Sequence, residues 1–70
     1  MTIEIEEGVF ATFAREGEND ISTTLLDRSG YVITDADDCY EDLLYKATST
    51  RVGAGYVTEY ERSCIKHELS

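Results

Sequence analysis

The sequence predicts a single α+β domain, in which a small antiparallel sheet of three or four strands carries one amphipathic helix on one face. Three observations predict this class. Apolar and polar residues alternate in the segments before residue 34, an Asp-Arg-Ser-Gly turn separates two of these segments, and an apolar stripe at helical spacing follows. A chain of 70 residues forms one domain with a small core. The expected order over residues 1–70 is β-β-(β)-α-β.

Strands are predicted at the start of the chain. Ile3 and Ile5 alternate with polar residues, and apolar residues resume after Gly8 in residues 9–15. Gly8 is expected to mark a bulge or a turn. Residues 9–15 also match helical spacing, so a helix stays an alternative there. We favour a strand, because Val, Phe and Thr pack well on a pleated surface.

Two turns are predicted around the next segment. Residues 17–20 form a Gly-Glu-Asn-Asp cluster, and Asp27 begins the four-residue turn that ends at Gly30. Aspartate favours the start of a turn, and glycine supplies a positive φ at its end. Residues 21–27 and 31–33 are therefore predicted to pair as a hairpin.

A helix is predicted after the hairpin, with acidic residues at its start and Lys46 near its end. This charge order suits the helix dipole. Asp38 and Glu41 have the spacing of a capping box. The apolar stripe consists of Ala36, Tyr40, Leu43, Leu44 and Ala47.

The last segment is predicted to return as a strand. Residues 47–55 are small and polar, and residues 56–66 then alternate with their tyrosines inward. A helix is the weaker alternative, because Ile65 and Leu69 would lie on the far side from Tyr56 and Tyr60. The expected core contains Val9, Phe13, Leu25, Ile33, Tyr40, Leu43, Leu44, Ala47, Tyr56 and Cys64.

Two cysteines, Cys39 and Cys64, are 25 positions apart. Neither zinc-site spacing nor the cysteine density of a secreted scaffold is present. We therefore expect reduced thiols in the core. A disulfide from the helix to the last strand stays geometrically possible.

The charge of the chain is distributed unevenly. Residues 1–42 carry twelve carboxylates and two arginines, a net charge of −10, whereas residues 43–70 carry four cations and three carboxylates, a net charge of +1. Such a field favours a basic partner protein and disfavours direct binding of nucleic acid. Acidic surfaces also occur in proteins adapted to high salt, so a structural or halophilic domain without a discrete target is the alternative.

No motif predicts catalysis, a cofactor or a metal. An EF-hand loop in residues 35–42 would need glycine where Tyr40 stands and an oxygen ligand where Cys39 stands. Cys64 and His67, three residues apart, would lie on opposite faces of the predicted strand. The apolar runs are too short for a membrane span or a signal segment, so we expect a soluble, intracellular protein.

Two short stretches carry a family resemblance. Val52-Gly53-Ala54-Gly55-Tyr56 with Arg62, Cys64 and Ile65, and also Phe10-Ala11-Thr12-Phe13, resemble the small T7-like phage inhibitors of bacterial RNA polymerase. The resemblance implies strands, an acidic helix and a final strand. It also implies that Arg62 aligns with one of two arginines that engage the polymerase in that family, while Tyr60 takes the place of the other.

The charge pattern and the resemblance together predict a small acidic, phage-type inhibitor in the cytoplasm of a bacterial host, a monomer or small homo-oligomer. Its expected partner is a host protein with a basic, nucleic-acid-handling surface, such as RNA polymerase, a CRISPR effector or a nuclease, which it would block by DNA mimicry. The predicted contact residues are exposed carboxylates, one tyrosine and one arginine: Glu16, Glu18, Asp20, Asp35, Asp37, Asp38, Glu41, Asp42, Tyr45 and Arg62.

Overall fold

Four strands form one antiparallel sheet in chain order, and two helices follow. A computed structural model describes residues 1–69. The strands are β1 (Thr2–Glu6), β2 (Val9–Gly17), β3 (Asp20–Asp27) and β4 (Val32–Ile33), and the helices are α1 (Tyr40–Gly53) and α2 (Glu59–Leu69). The predicted α+β class, the four-stranded sheet and the strand at residues 9–15 are confirmed.

Each hairpin turn follows from its local sequence. Gly8 joins β1 to β2 with φ of 78°, a conformation that glycine adopts readily. In the turn after β3, the Asp27 carboxylate accepts hydrogen bonds from the backbone N–H groups of Ser29 and Tyr31, at 2.9 and 3.0 Å. Gly30 ends this turn with φ of 89°. The predicted hairpin turn is therefore confirmed.

The core lies between one face of the sheet and α1. The strand register places Ile3, Ala11, Leu25 and Ile33 in one row across the four strands. Ala11 is 0% and Leu25 2% exposed. From α1, Leu43 and Ala47 pack on this face, with Phe13 beside them: the buried cluster is Ala11, Phe13, Leu25, Leu43 and Ala47. Ala11 was absent from the predicted core.

The start of α1 differs from the prediction. Cys39, not Asp38, is the N-cap residue, and no side chain caps the helix, so the predicted capping box of Asp38 and Glu41 is wrong. The Asp37 carboxylate instead accepts the Cys39 N–H at 2.8 Å. This hydrogen bond within a local turn competes with helical geometry. Ala36, predicted in the stripe, therefore precedes the helix.

The predicted strand over residues 56–66 is wrong, because Glu59–Leu69 forms a second helix. Thr58 is 4% exposed. Its hydroxyl accepts the Glu61 N–H at 3.1 Å, and the Glu61 carboxylate accepts the Thr58 N–H at 2.9 Å. This reciprocal capping box starts a helix and outweighs the alternation that favoured a strand. The helix also places Cys64 and His67 on one face, not on opposite faces.

Both cysteines lie at the surface. Cys39 and Cys64 are exposed free thiols, so the prediction of core thiols is wrong and the alternative disulfide does not form. Cys64 lies outside the core because residues 62–67 of the helix that carries it are exposed, whereas the start of that helix packs on the domain. Leu44, also predicted in the core, is half-buried and lies outside the buried cluster.

Candidate protein-binding surface

A partly buried ion pair connects α2 to α1. Arg51, in the last turn of α1, is 7% exposed. It donates two hydrogen bonds to the Glu61 carboxylate, from Nη1 at 3.0 Å and Nη2 at 2.8 Å, and Nη1 also donates to the Tyr56 carbonyl at 2.6 Å. Its guanidinium carbon lies 6.0 Å from the centre of the Phe13 ring. Arg51 therefore links the core, the connecting loop and α2.

The protonation of Glu61 reflects these contacts. The pKa of Glu61 is lowered from 4.5 to about 2, mainly by the hydrogen bond from Arg51; burial opposes the shift, and the Thr58 hydrogen bonds and the charge of Arg51 contribute to it. Glu61 is therefore ionised over the whole neutral range.

The start of α2 also docks on the turn between β2 and β3. The Asn19 side-chain oxygen accepts the Tyr60 N–H at 2.9 Å, and the Glu18 carbonyl accepts the Glu59 N–H at 3.3 Å. Arg15 donates to the Val57 carbonyl at 2.9 Å. The first turn of α2 is thus fixed, whereas residues 62–67 of the helix are exposed.

Most cations of the chain are engaged by its own groups. Arg28 pairs with Glu7 at 3.7 Å, Lys46 with Glu6 at 3.6 Å, and Arg62 with Glu59 at 3.2 Å. Arg51 pairs with Glu61 as described above, and Arg15 lies over the Tyr56 ring. The carboxylates of the four ion pairs were not among the predicted contact residues.

The eight predicted contact carboxylates are all exposed, and the four described ion pairs involve other acids. They form two groups. The hairpin acids lie around the turn between β2 and β3; the helix acids lie just before and in the first turn of α1. The hairpin acids are Glu16, Glu18 and Asp20; the helix acids are Asp35, Asp37, Asp38, Glu41 and Asp42.

The ten predicted contact residues do not lie together on one surface. The helix acids and Arg51 lie at opposite ends of α1, whose 14 residues span about 21 Å at 1.5 Å per residue. The hairpin acids lie beside the start of α2, close to the Arg51 end. Tyr45, 77% exposed, follows Glu41 by one turn and belongs with the helix acids. Arg62 lies one turn into α2, near the hairpin acids.

Sequence reasoning missed the face of the sheet opposite α1. The register places Glu4, Phe10, Leu26 and Val32 in one row across the four strands on this face. None of these four side chains belongs to the core cluster or packs against it. The signal was present in the sequence, because two-residue alternation defines a second face as well as a buried one.

Comparison with protein-family models, curated proteins and solved structures found no match to the chain. Within residues 1–69, no pocket and no group of three or more metal-ligating side chains is found. Neither described helix has the length and apolar content needed to span a membrane. The described surface offers a partner exposed carboxylates, hydroxyl groups and apolar side chains.

Proposed function

We propose that this chain is a small acidic, phage-type inhibitor that covers a basic, nucleic-acid-handling surface of a host protein in the bacterial cytoplasm. The observation that supports this most directly is the separation of its charges. Five of its cations are engaged within the chain, while the eight hairpin and helix acids are exposed and lie outside the described ion pairs. The outward field is therefore negative.

Exposed carboxylates can take the place of phosphates on a basic surface. Lys and Arg side chains make charge-assisted hydrogen bonds to carboxylates as they do to phosphates. A field of one sign also accelerates encounter with an oppositely charged surface. Tyr45 supplies an exposed aromatic beside the helix acids, and such residues commonly anchor protein interfaces.

Three host classes fit this chemistry: RNA polymerase, a CRISPR effector and a nuclease. The resemblance of residues 52–56 and of Arg62 to phage inhibitors supports RNA polymerase as the first target to test. The family's final strand corresponds to α2 here, so a contact by Arg62 would come from a helix. Arg62 would have to exchange its exposed pair with Glu59 for an acidic group of the target.

Affinity capture from a bacterial lysate tests the proposal. The immobilised chain is washed at about 50 mM and about 500 mM NaCl, because salt screens exposed charge pairs. We expect a nucleic-acid-handling protein to be retained at low salt and released at high salt. Purified RNA polymerase is tested in parallel. Retention of no such protein, or retention independent of salt, would contradict the proposal.

Matched variants test whether the hairpin acids, which lie outside the described ion pairs, are responsible. One variant neutralises the hairpin acids (E16Q, E18Q, D20N), and its control neutralises three ion-paired acids (E6Q, E7Q, E59Q). Both lose three charges. At roughly 0.5 kcal/mol per carboxylate, the hairpin variant should weaken binding about ten-fold. Equal weakening by both variants would show that only total charge matters.

The same proteins address the high-salt alternative. A domain whose acids only solvate it needs molar salt to fold, whereas we expect cooperative unfolding of the chain at low ionic strength. Circular dichroism during thermal unfolding without added salt measures this directly. An unfolded spectrum that becomes folded in molar salt would support the alternative.

A further inference from the structure

The face of the sheet opposite α1, here called the open face, carries an apolar row. Phe10, Leu26 and Val32 are neighbours on three adjacent strands, and Val32 is 60% exposed. Tyr31, directly before Val32, is 75% exposed. Beside this row lie three threonines, Thr2, Thr12 and Thr24, which are register partners. The open face thus combines an apolar row with a row of hydroxyl groups.

Two strand residues, Glu4 and Glu16, place carboxylates on the open face. Glu4 continues the apolar row onto the edge strand β1, and Glu16, which accepts a hydrogen bond from Ser22 at 3.1 Å, lies further along β2. Arg15 contacts Tyr56 and Val57, Lys46 lies on α1, Arg51 is buried, and Arg28, just after the end of β3, pairs with Glu7 at 3.7 Å. Charge complementarity therefore requires a basic occupant.

The size of the open face favours a segment over a second copy of the chain. Four strands about 4.8 Å apart, of which the longest has nine residues at about 3.3 Å each, present at most about 600 Å². A stable interface needs about 800 Å² from each partner. In a dimer, Glu4 and Glu16 of each chain would also face a second molecule whose net charge is −9.

We propose that the open face binds a basic polypeptide segment of the partner that crosses the strands, with apolar side chains on Phe10, Leu26 and Val32 and a cation at Glu4. This inference rests on the proposed function and names a contact surface for it. The row from Glu4 to Val32 crosses three inter-strand spacings, about 14 Å at ~4.8 Å each, and an extended segment covers about 13 Å in four residues at ~3.3 Å each. An extended segment with a cation at one position and apolar residues two and four positions later matches that length.

A seven-residue peptide provides the probe, with Lys at position 1, Val at 3 and 5, and Thr at the others. These odd positions share one face of an extended chain. A control peptide replaces both Val residues with Ser. Amide chemical shifts of the labelled chain are followed at low salt while each peptide is added. We expect saturable shifts at the open face with the Val peptide, and at least five-fold weaker binding of the Ser peptide.

Variants identify the surface. Val32→Thr removes apolar contact without changing shape, and Glu4→Lys reverses one charge; each should weaken binding of the Val peptide at least three-fold. Ile65→Thr on α2, at a residue that is 42% exposed, and Glu7→Lys, whose side chain is 95% exposed, are the matched controls and should leave binding unchanged. The amide spectrum of each variant reports whether it is folded.

The outcomes separate the two proposals. If both peptides change amide chemical shifts only at the hairpin and helix acids, the open-face inference is wrong. The proposed function would not be contradicted by that result. Equal affinity for the Val and Ser peptides would also overturn it. Self-association that buries Val32 would show that the open face binds a second copy of the chain. That result would overturn the inference of a basic segment. Binding of neither peptide, together with no captured protein, would contradict both proposals.

Discussion

Replacing Glu61 by Gln should weaken the domain and loosen α2. The substitution keeps the shape of the side chain and an oxygen that can accept the Thr58 N–H, but it removes the negative charge opposite Arg51. Arg51 then stays 7% exposed with its full positive charge. An unpaired buried charge is costly, and breaking a fully buried pair costs about 3–5 kcal/mol.

The expected loss is smaller than that range because the Glu61 side chain is 25% exposed. The fall in the pKa of Glu61 from 4.5 to about 2 is equivalent to about 3 kcal/mol at ~1.4 kcal/mol per pH unit. Partial solvent access reduces this to about 2 kcal/mol. A domain of 70 residues has a total stability of roughly 4–10 kcal/mol, so the loss is large.

The pH dependence follows from the direction of the shift. Because the pKa of Glu61 is lowered in the folded state, its stabilisation is complete above the ordinary pKa of 4.5 and is lost as the pH falls to about 2. The chain and the E61Q variant should therefore differ by about 2 kcal/mol at pH 7 and converge near pH 2.

Urea unfolding at pH 7, 4 and 2 measures both effects, and amide hydrogen exchange in residues 59–67 reports whether α2 opens first. Glu59→Gln is the matched control in the same turn: its pair with Arg62 is exposed, so it should cost less than ~0.5 kcal/mol. An E61Q variant as stable as its parent at pH 7, or a difference that persists at pH 2, would refute this account of the Arg51–Glu61 pair.

Three further predictions concern local structure. Thr58→Ala should destabilise the domain by about 1 kcal/mol in urea unfolding while Thr58→Ser retains the cap, and equal stability of the two would contradict a capping role. Gly30→Ala, at φ of 89°, should cost about 1 kcal/mol, whereas Gly17→Ala, whose added methyl group meets no atom within 4 Å, should be nearly neutral by the same measurement. Cys39 and Cys64 should both react with a disulfide reagent in the native state, and a thiol that reacts only in denaturant would contradict their exposure.

The first half of the fold was predictable because its signals are local. Asp27 and Gly30 specify a turn by their own hydrogen bonding and backbone freedom, and alternation on either side of it sets the strands. The stripe of Leu43 and Ala47 likewise identifies the face of α1 that packs on the sheet. Each signal acts within a few residues, so no tertiary information was needed.

The second half was predicted incorrectly because a helix and a strand compete in residues 56–66. The alternation of tyrosines favoured a strand, yet the Thr58-x-x-Glu61 capping box was readable and outweighs it. The pairing of Glu61 with Arg51, ten residues earlier, is a tertiary contact that spacing alone does not reveal. Similarly, the exposed positions of the hairpin and helix acids were predictable, whereas their placement at different ends of α1 depends on how that helix packs.

Competition with DNA tests the central claim most directly. That claim is that the hairpin and helix acids occupy a basic surface that binds nucleic acid. A captured or purified host protein is loaded with fluorescent duplex DNA, and the chain is added while anisotropy is recorded at several salt concentrations. We predict displacement of the DNA at low salt, about ten-fold weaker for the hairpin variant than for its ion-paired control. DNA that stays bound while the chain saturates the host protein would contradict the claim.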